Sequence, residues 1–260
     1  MATGRTLTRH TRVYIDGNGT LNASATNIGP LATSWEEYET AGLDWTVKGS
    51  MLGGVTFGAG VLNTMFEDTA TYGSHAHGSL GNGLAHNVMV PIGIRAAPAE
   101  GDPVFCGRFL QNDYMVTPST SGVVAATWRF GGWDYAQSMN YGRAWGVLLA
   151  PYASRTAVNN SAGVDGGAST SLGGWMMYQC GSITGASGNV VIKVQDSANN
   201  STWADLASAT VTLQYNAEPA SGIVQLATNA TVRQYLRWQI VLTTVTEVSF
   251  ALAFVRGNGV

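Results

Sequence analysis

The sequence predicts an all-β protein, and two observations lead to that prediction. First, 33 glycines punctuate the 260-residue chain, nearly twice the roughly 7% of average proteins. They separate short runs rich in Val, Thr, Ile, Tyr and Trp, which is the pattern of strands joined by turns. Second, only 11% of the residues are charged, against roughly 25% in an ordinary soluble domain. Small uncharged side chains therefore cover the surface, which indicates a folded protein whose surface meets copies of itself.

The same composition excludes several function classes. A membrane helix needs about 18 consecutive apolar residues, and the chain contains no such run, so we expect no membrane insertion. The first 150 residues carry eight Lys and Arg against eleven Asp and Glu, so no basic patch for binding phosphates is expected. Residues 1–12 have no apolar segment of the kind found in secretory signals. Cys106 and Cys180 are interpreted as small buried hydrophobes in a reducing cytoplasm, with an interdomain disulfide as the alternative.

The first half of the chain carries strand signals interrupted by one helical stretch. Arg12 to Asp16 is typical of a strand, and Asp16-Gly17-Asn18-Gly19 is typical of the turn that closes it. Residues 64–80 suit a short helix. Pro91 predicts a strand end or an edge position, because proline cannot donate to a ladder. Further strands are predicted at 27–33, 50–63, 88–92, 103–116 and 123–130.

A change of composition after residue 154 predicts two domains. Residues 155–174 are rich in Gly, Ser, Asn and Ala and nearly free of large side chains, which is typical of a linker. The chain therefore divides into a domain at 1–154, a linker at 155–174 and a domain at 175–260. In the second domain, evenly spaced strand signals are typical of a β-sandwich. They lie at 175–180, 190–195, 209–215, 222–226, 235–243 and 248–256. The last two become apolar on both faces, which predicts burial between two layers.

No set of residues assembles a nucleophile, a base and an oxyanion site, so we expect no enzyme activity, no metal and no cofactor. His75, His77 and His86 could bind a transition metal, but no Cys or carboxylate completes a four-ligand set at the usual spacing. A solvated helix end and loop is the preferred interpretation. Residues 196–205 offer oxygen ligands for calcium but lack the glycine and terminal glutamate of an EF-hand loop. A hairpin turn rich in Asp and Asn is preferred there.

Four aromatic residues of the second half allow two interpretations. They are Trp203, Tyr215, Tyr235 and Trp238. Together they could form a platform on which sugar rings stack. Alternatively, they belong to the core of a sandwich, where large aromatic side chains bury much apolar area. The core interpretation is preferred.

Two blocks of sequence resemble proteins of bacteriophage virions. The first runs from Arg12-Val-Tyr-Ile-Asp-Gly through residues 93–107 to Phe130-Gly-Gly-Trp-Asp. It resembles the major tail tube proteins of long-tailed, siphovirus-like bacteriophages. The second block is similar to the β-sandwich, either discoidin-like jelly roll or immunoglobulin-like, that is appended to phage structural proteins. It comprises residues 190–206, 232–241 and 250–256.

The resemblance implies a tail-tube-like β-sandwich with one short helix at 1–154, followed by an external β-sandwich at 175–260. It implies that copies of the chain form rings, expected to be hexameric, which stack into a tube through which DNA passes without specific binding. Tape measure and terminator proteins of the tail are then further partners. The expected location is the virion, after synthesis in the host bacterial cytoplasm. The composition agrees, because rings that also stack bury much surface and need little solubilising charge. An acidic excess in the first half also suits a DNA conduit.

The resemblance also places a contact between rings in residues 35–48. Aromatic anchors of that contact are expected at Trp35, Tyr38 and Trp45, since buried Trp and Tyr dominate interface energies. Four carboxylates are expected to face the lumen or the arginines of a neighbour, such as Arg95 or Arg108. These carboxylates belong to Glu36, Glu37, Glu39 and Asp44.

The sequence also allows a second class of function. In it, the chain is a tail-tip or capsid-surface protein that contacts host glycan through the C-terminal β-sandwich, or that decorates the capsid. Electron microscopy of the purified protein separates the two classes. A tube protein forms rings or filaments, whereas a surface protein stays as discrete trimers or monomers.

Overall fold

The structure is a computed structural model of the 260-residue chain. It describes residues 10–17, 25–40, 49–58, 60–65, 85–94, 96–118, 124–133 and 144–257. Within these ranges there are strands and no helix, so the predicted all-β class is confirmed. The strands are β1 (Tyr14–Ile15), β2 (Ala25–Gly29), β3 (Ala32–Thr40), β4 (Gly49–Gly58), β5 (Gly60–Met65), β6 (Ala85–Pro91), β7 (Pro103–Thr117), β8 (Ala125–Trp133), β9 (Trp145–Arg155), β10 (Asn159–Asn160), β11 (Val164–Asp165), β12 (Gly174–Ser197), β13 (Ala204–Gln214), β14 (Ala220–Gln225) and β15 (Tyr235–Arg256).

The predicted helix at 64–80 falls almost wholly outside the described residues. Its first two positions are corrected by the structure, because Thr64 and Met65 end β5 and pair with Ala126 and Ala125 of β8. The ladder with β8 continues through both residues, and such tertiary pairing overrides weak local helix propensity. Pro91 is the last residue of β6, as its missing N–H predicts.

In the described part of the chain, thirteen strands form one antiparallel sheet, whose main path runs β13-β12-β15-β9-β7-β8-β5-β2. Off this path, β6 pairs with β1 and β7, β10 and β11 pair with β15, and β14 pairs with β12. The other two strands, β3 and β4, form a two-stranded sheet of their own. Strands from both predicted domains therefore share one hydrogen-bonded sheet, which is continuous where β9 pairs with β15. The division of function between the two domains stays a prediction.

The two longest strands, β12 and β15, change partners along their length. They pair with each other from Gly174 and Arg256 to Ser197 and Tyr235, with register shifts between residues 180 and 190 of β12. On its other edge, β12 pairs with β14 through its first half and with β13 through its second half. Bulges bend a strand and allow it to serve two layers. The bend folds the sheet over a hydrophobic core that contains residues from both halves of each strand.

Among the described residues, three clusters of buried side chains form the interior. The N-terminal core lies among β5, β6, β7 and β8, and Trp128, Phe105 and Phe109 are its largest fully buried members. The C-terminal core lies inside the fold of β12 and β15 and includes Phe250 and Phe254. A third cluster, the shared core, combines both halves of the chain. Its buried members are Tyr14, Met89, Val104, Cys106, Leu148, Trp175, Met177, Ala251, Ala253 and Val255.

The shared core explains why β15 is apolar on both faces. Phe250, Leu252 and Phe254 point into the C-terminal core, whereas the residues between them point into the shared core. Alternate side chains of a strand point to opposite faces, so both faces of this segment are buried. The prediction from the apolar run at 248–256 is thereby confirmed.

The predicted linker at 155–174 lies alongside β15. Arg155 is the last residue of β9, and β10 and β11 pair with β15 at Ile240 to Gln239 and at Leu236 to Tyr235. An isolated bridge joins Thr170 to Val232. Most of these residues are exposed, as their small polar composition predicts, but their backbone is tied to the sheet.

Both cysteines are free and buried, which confirms their interpretation as small apolar core residues. Cys106 belongs to the shared core and Cys180 to the C-terminal core. Burial raises the pKa of the Cys106 thiol well above its usual range. Burial, together with nearby Glu218, raises the pKa of Cys180 to about 12. Both thiols are therefore unreactive in the folded chain.

Candidate functional site

The segment expected to join neighbouring rings is a β-hairpin whose connecting residues 41–48 lie outside the described residues. Residues 32–40 form β3 and pair with β4, for example at Trp35 with Val55 and at Tyr38 with Met51. Glu37 and Glu39 pair with Leu52 and Ser50 in the same ladder, and Glu36 lies in β3 between them. Trp45 and Asp44 fall in the connection and are not described. Their interface and lumen roles stay predictions, as does the role of Arg95, which is likewise outside the described residues.

The hairpin continues two strands of the main sheet. β2 pairs with β5 and runs into β3 through Pro30, while β4 runs into β5 through Gly60. Gly60 has φ +61°, and a Cβ there would lie 2.5 Å from the carbonyl carbon of Gly29. Glycine adopts that φ at no steric cost, and the absence of a Cβ allows the two backbones to come so close. The base of the hairpin is therefore fixed by the contact between these two turns.

The sheet that carries the hairpin has one buried and one solvent face. Leu62 and Trp128, a cross-strand pair, point into the N-terminal core. On the opposite face, Thr127 Oγ1 donates a hydrogen bond of 2.9 Å to Asn63 Oδ1. The charges recorded on this face belong to Arg129 and Asp113, which pair at 3.7 Å with both side chains exposed. The face therefore presents small polar groups, an Arg–Asp pair and the exposed side chain of Met115, which pairs with Thr127.

The two ends of the main sheet differ in how their edges are protected. At one end, β2 is a short edge strand of five residues whose outer side has no strand partner among the described residues. At the other end, β13 is interrupted by a register shift, and Ser208 there has φ +67°. Bulges and short strands are common ways of protecting an edge against unwanted pairing. The ladder between β2 and β5 also has a register shift, between Ala25 and Asn27, so both edges are irregular.

Sequence reasoning missed a buried polar junction between the two halves of the chain. Asp16 has φ +52° in the turn after β1, and its Oδ1 accepts a hydrogen bond of 2.9 Å from the N–H of Asn87. The N–H of Gly17 donates to Gln179 Oε1 at 2.6 Å, and Gln179 Nε2 donates to the carbonyl of Asn87 at 2.8 Å. Asn87 Nδ2 donates to Ser221 Oγ at 2.8 Å. The turn at residues 16–17 is thus hydrogen-bonded to β6 and to β12. β6 is in turn hydrogen-bonded to β14.

His86 belongs to the same junction and is nearly inaccessible, with 1% of its surface exposed. Its Nδ1 lies 2.6 Å from Asp16 Oδ2, and its Nε2 lies 2.9 Å from Gln111 Oε1. Both ring nitrogens are therefore occupied by protein partners. His75 and His77 lie outside the described residues, and within the described part of the chain no three metal-binding side chains come together.

Residues 196–205 form a hairpin turn, as preferred from the sequence. β12 ends at Ser197 and β13 begins at Ala204. Asn199 Oδ1 accepts hydrogen bonds from the backbone N–H groups of Ser201 and Thr202 at 3.1 and 2.9 Å. Asn side chains stabilise turns in this way. A shallow cavity of about 300 Å³ beside the turn is lined in part by Asp196, Asp205 and Arg233, but both carboxylates already have protein partners.

The four aromatics of the second half do not form one platform. Trp238 is a core residue, 5% exposed, and stacks edge-on against Phe250. Tyr215 lies at the end of β13 where its N–H donates to Gly188, whereas Tyr235 pairs with Ser197 at the opposite end of the sheet. Trp203 is half-buried under the guanidinium of Arg237, which lies 4.5 Å from the ring centroid. The core interpretation holds for Trp238, and Trp203 forms part of a polar surface.

Within the described residues, no helix is long and apolar enough to cross a membrane. No family model matches the chain, and no curated protein matches it significantly. Solved structures match it weakly. The Dit protein of phage SPP1, from the hub adsorption apparatus of phages that infect Gram-positive bacteria, matches 94% of this chain and 99% of its own at 11% identity and a TM-score of 0.32.

Two further structures match at lower scores. A Cry1Da tryptic core variant from Bacillus thuringiensis is 7% identical, with 91% of this chain and 54% of that chain covered and a TM-score of 0.22. A structure from the Gx strain of infectious bursal disease virus is 9% identical in sequence. The match covers 91% of this chain and 58% of that chain, with a TM-score of 0.20. These TM-scores are too low to establish a shared fold or function.

Proposed function

We propose that the chain is a structural protein of a bacteriophage tail, and more specifically a tube subunit that assembles with copies of itself into stacked rings. The sequence resemblance to major tail tube proteins suggests the role. The observation that carries it is the β3–β4 hairpin, which continues β2 and β5 beyond the main sheet at the place where the resemblance puts a contact between rings. A phage adsorption protein is also among the solved structures that match the chain over nearly its whole length, at a TM-score that by itself carries no weight.

The charge distribution supports a conduit for DNA. Eight basic residues face eleven acidic ones in the first 150 residues, and the described solvent face beside the hairpin holds its charges in an Arg–Asp pair. A surface that DNA must pass cannot hold phosphates, because each neutralised phosphate adds affinity. In the proposed assembly, the chain needs no enzyme activity, and its partners are further copies and other tail proteins in the virion.

The test is electron microscopy of the full-length protein at high concentration, with and without a tail-tip complex as nucleus. Stacked rings with a central channel are the expected result. A matched variant that lacks residues 32–58, with Leu31 joined to Ala59 by a short glycine turn, should give single rings or free subunits. Discrete monomers in every condition, from protein that melts cooperatively, would contradict the tube proposal.

A second function is favoured by the outer face of β10, β15, β12 and β13. There Arg237 Nε donates to Gln195 Oε1 at 2.8 Å, and Gln195 Nε2 donates to Asp205 Oδ1 at 2.7 Å. Lys193 Nζ and Asp205 Oδ2 are 2.6 Å apart. Such an ordered row of donors and acceptors beside Trp203 suits contact with a host glycan by a tail-tip or capsid-surface protein. Saccharide binding by an unassembled monomer would favour this function over the tube.

A further inference from the structure

We propose that a cavity at the edge of the C-terminal half binds a single neutral sugar ring, and that the Asp196 carboxylate and the Arg233 guanidinium bond the hydroxyl groups of that ring. The cavity has a volume of about 300 Å³ and opens between β13 and the turn at residues 230–234 that precedes β15. The inference rests on the second function proposed above, contact with a host glycan, and names where one ring of that glycan lies. The lining residues that carry the argument are Asp196, Asp205, Leu206, Ala207, Ala230 and Arg233.

One wall of the cavity is the turn at residues 230–234, whose backbone is fixed by the rest of the fold. The Arg256 guanidinium donates to three of its carbonyl groups at 3.1, 2.6 and 2.7 Å, those of Val232, Arg233 and Gln234. Val232 also exchanges two backbone hydrogen bonds with Thr170, at 2.8 and 2.9 Å. The turn therefore needs little ordering when a ligand binds, which lowers the entropic cost of binding.

The opposite wall is a bulge in β13. Residues 206–209 lie opposite the single residue Val194 of β12, and Ser208 within them has φ +67°. Bulges re-aim side chains and are common next to active sites. Here Leu206 packs into the C-terminal core, whereas Ala207 is exposed. Together with Ala230, these two side chains supply the apolar part of the lining.

The polar part of the lining combines a buried acceptor with an accessible donor. Asp196 is 5% exposed, and its Oδ2 accepts the backbone N–H of Arg233 at 2.9 Å while its Oδ1 lies 3.4 Å from Arg233 Nη1. A carboxylate offers about four acceptor positions, so these two contacts leave positions for the hydroxyl groups of a ligand. The Arg233 side chain is 47% exposed. Because a hydroxyl both donates and accepts, neighbouring hydroxyls of a sugar can bond to the carboxylate and to the guanidinium.

Charge and size define the ligand class. Asp196 lies beside the guanidinium of Arg233, and Asp205 Oδ2 lies 2.6 Å from Lys193 Nζ. Both carboxylates therefore face a cation already, and the cavity needs no metal ion or amine to neutralise it. Two carboxylates also disfavour an anionic ligand. The volume is at the lower end of the roughly 300–1,000 Å³ of small-molecule sites, so a single neutral, hydroxylated ring fits these conditions.

Asp205 connects the cavity with the polar row on the outer face. Its Oδ1 accepts from Gln195, and Gln195 accepts from Arg237, whose guanidinium covers Trp203. A glycan whose terminal ring occupies the cavity would continue along this row. The cavity and the row are thus two parts of one saccharide surface.

Saturation-transfer NMR of the full-length protein tests the inference. The probes are glucose, galactose and N-acetylglucosamine, with glucuronate as the anionic comparison. We expect at least one neutral sugar to bind with a dissociation constant on the order of 1 mM, the scale for a ligand of about a dozen heavy atoms. Glucuronate should bind about tenfold more weakly, because its carboxylate meets those of Asp196 and Asp205.

Two variants locate the sugar. Ala207→Trp covers the cavity from an exposed position, and Arg233→Met removes the donor. Each should weaken binding by about tenfold or more. Thr212→Trp, at an exposed position of β13 outside the cavity, and Arg129→Met, in the other half of the chain, are the matched controls and should keep the wild-type affinity. Cooperative melting shows that each variant is folded.

The outcomes separate the cavity from the glycan function. Wild-type affinity in Ala207→Trp would place the sugar elsewhere and overturn the inference, while glycan contact would stand. Equal binding of glucuronate and the neutral sugars would overturn the neutral ring. If no single sugar binds, the cavity is not a sugar site. Binding of longer glycans that is lost in Arg237→Met would then keep the second function, and its absence would end both.

Discussion

Gly60 shows how one absent side chain positions a whole hairpin. Its φ of +61° and the 2.5 Å that would separate an added Cβ from the carbonyl carbon of Gly29 leave no room for alanine. We expect Gly60→Ala to lower the free energy of unfolding by about 1–3 kcal/mol, because it adds both left-handed strain and a backbone clash. Chemical denaturation measures this loss.

Gly167→Ala is the matched control for the Gly60 change. Gly167 has φ +80° but nothing within 4 Å of an added Cβ. Its substitution therefore adds strain without a clash, and it should cost less stability than Gly60→Ala. Equal losses would show that the contact between the two turns is unimportant.

The aromatic anchors of the proposed ring contact give a second prediction at this scale. Trp45→Ala should leave the subunit folded and abolish stacking of rings, because the resemblance places Trp45 in an extended loop between rings, which contributes little to the core of its own subunit. Melting of the unassembled subunit and electron microscopy are measured together. Normal tubes would show that Trp45 has no part in the contact, and outright unfolding would show that it belongs to a core.

Residue-scale contacts were the least predictable part of the molecule. The sequence indicates a turn at Asp16-Gly17, and the positive φ angles at both residues agree with it. It contains no signal that Gly17 would bond to Gln179, 162 positions away. Contacts of that separation depend on how the sheet folds over itself, and local pattern does not encode them. Trp238 was predictable as a core residue because large apolar and polar side chains alternate in the residues that precede it.

Among the elements, the pairing of β9 indicates where the chain can be divided into fragments that fold. It pairs with β15 from Val147 to Arg155 but with β7 only through Pro103 to Phe105. Leu149 and Ala150 also complete the C-terminal core. Pairing therefore favours a folding boundary before β9, so a fragment of residues 144–260 should melt cooperatively and one of residues 156–260 should be less stable.

The two fragments differ only in residues 144–155, so their comparison isolates β9, which contributes Leu148 to the shared core and Leu149 and Ala150 to the C-terminal core. Circular dichroism during heating reports the difference, and a detergent below its micelle concentration keeps both soluble. If the shorter fragment is as stable as the longer one, the boundary at residue 154 that composition suggests is the better one.

The sequence predicted the positions of the strands more accurately than their lengths. Strands were predicted at 175–180 and 190–195, but both belong to the single strand β12. The glycines between them signal a break, and the structure instead uses them for a bulged bend at which pairing with β15 continues. Likewise, 235–243 and 248–256 are two halves of β15. Strand periodicity identifies apolar faces, whereas the persistence of a ladder through irregular residues depends on the partner strand.

At the scale of the whole molecule, the shared core makes the fold sensitive to alkaline pH. Burial raises the pKa of Tyr14 to about 12, and burial also raises the pKa of Tyr152 and of Cys106. An acid whose pKa is raised on folding stabilises the fold while it stays neutral, and this stabilisation is lost as pH rises above the ordinary pKa of the unfolded chain. Stability should therefore fall above about pH 9, by about 1.4 kcal/mol per pH unit for each group that titrates.

Denaturant unfolding at about pH 8 and about pH 10.5 measures this effect. Cys106→Ala removes one of the groups and should reduce the alkaline slope even though it lowers stability at both values. A slope that is unchanged in Cys106→Ala would show that this thiol does not titrate in the unfolding transition.

The central place of β15 also orders events during synthesis. A ribosome adds about 5–20 residues per second, so roughly 5–20 s separate the emergence of β9 from that of β15, its neighbour in the sheet. Until residues 235–256 arrive, the shared core has no Ala251, Ala253 or Val255, and one edge of β9 is bare. In the proposed tube, a nascent chain on a polysome therefore presents no finished subunit to other copies, and translation itself delays assembly until each copy is complete.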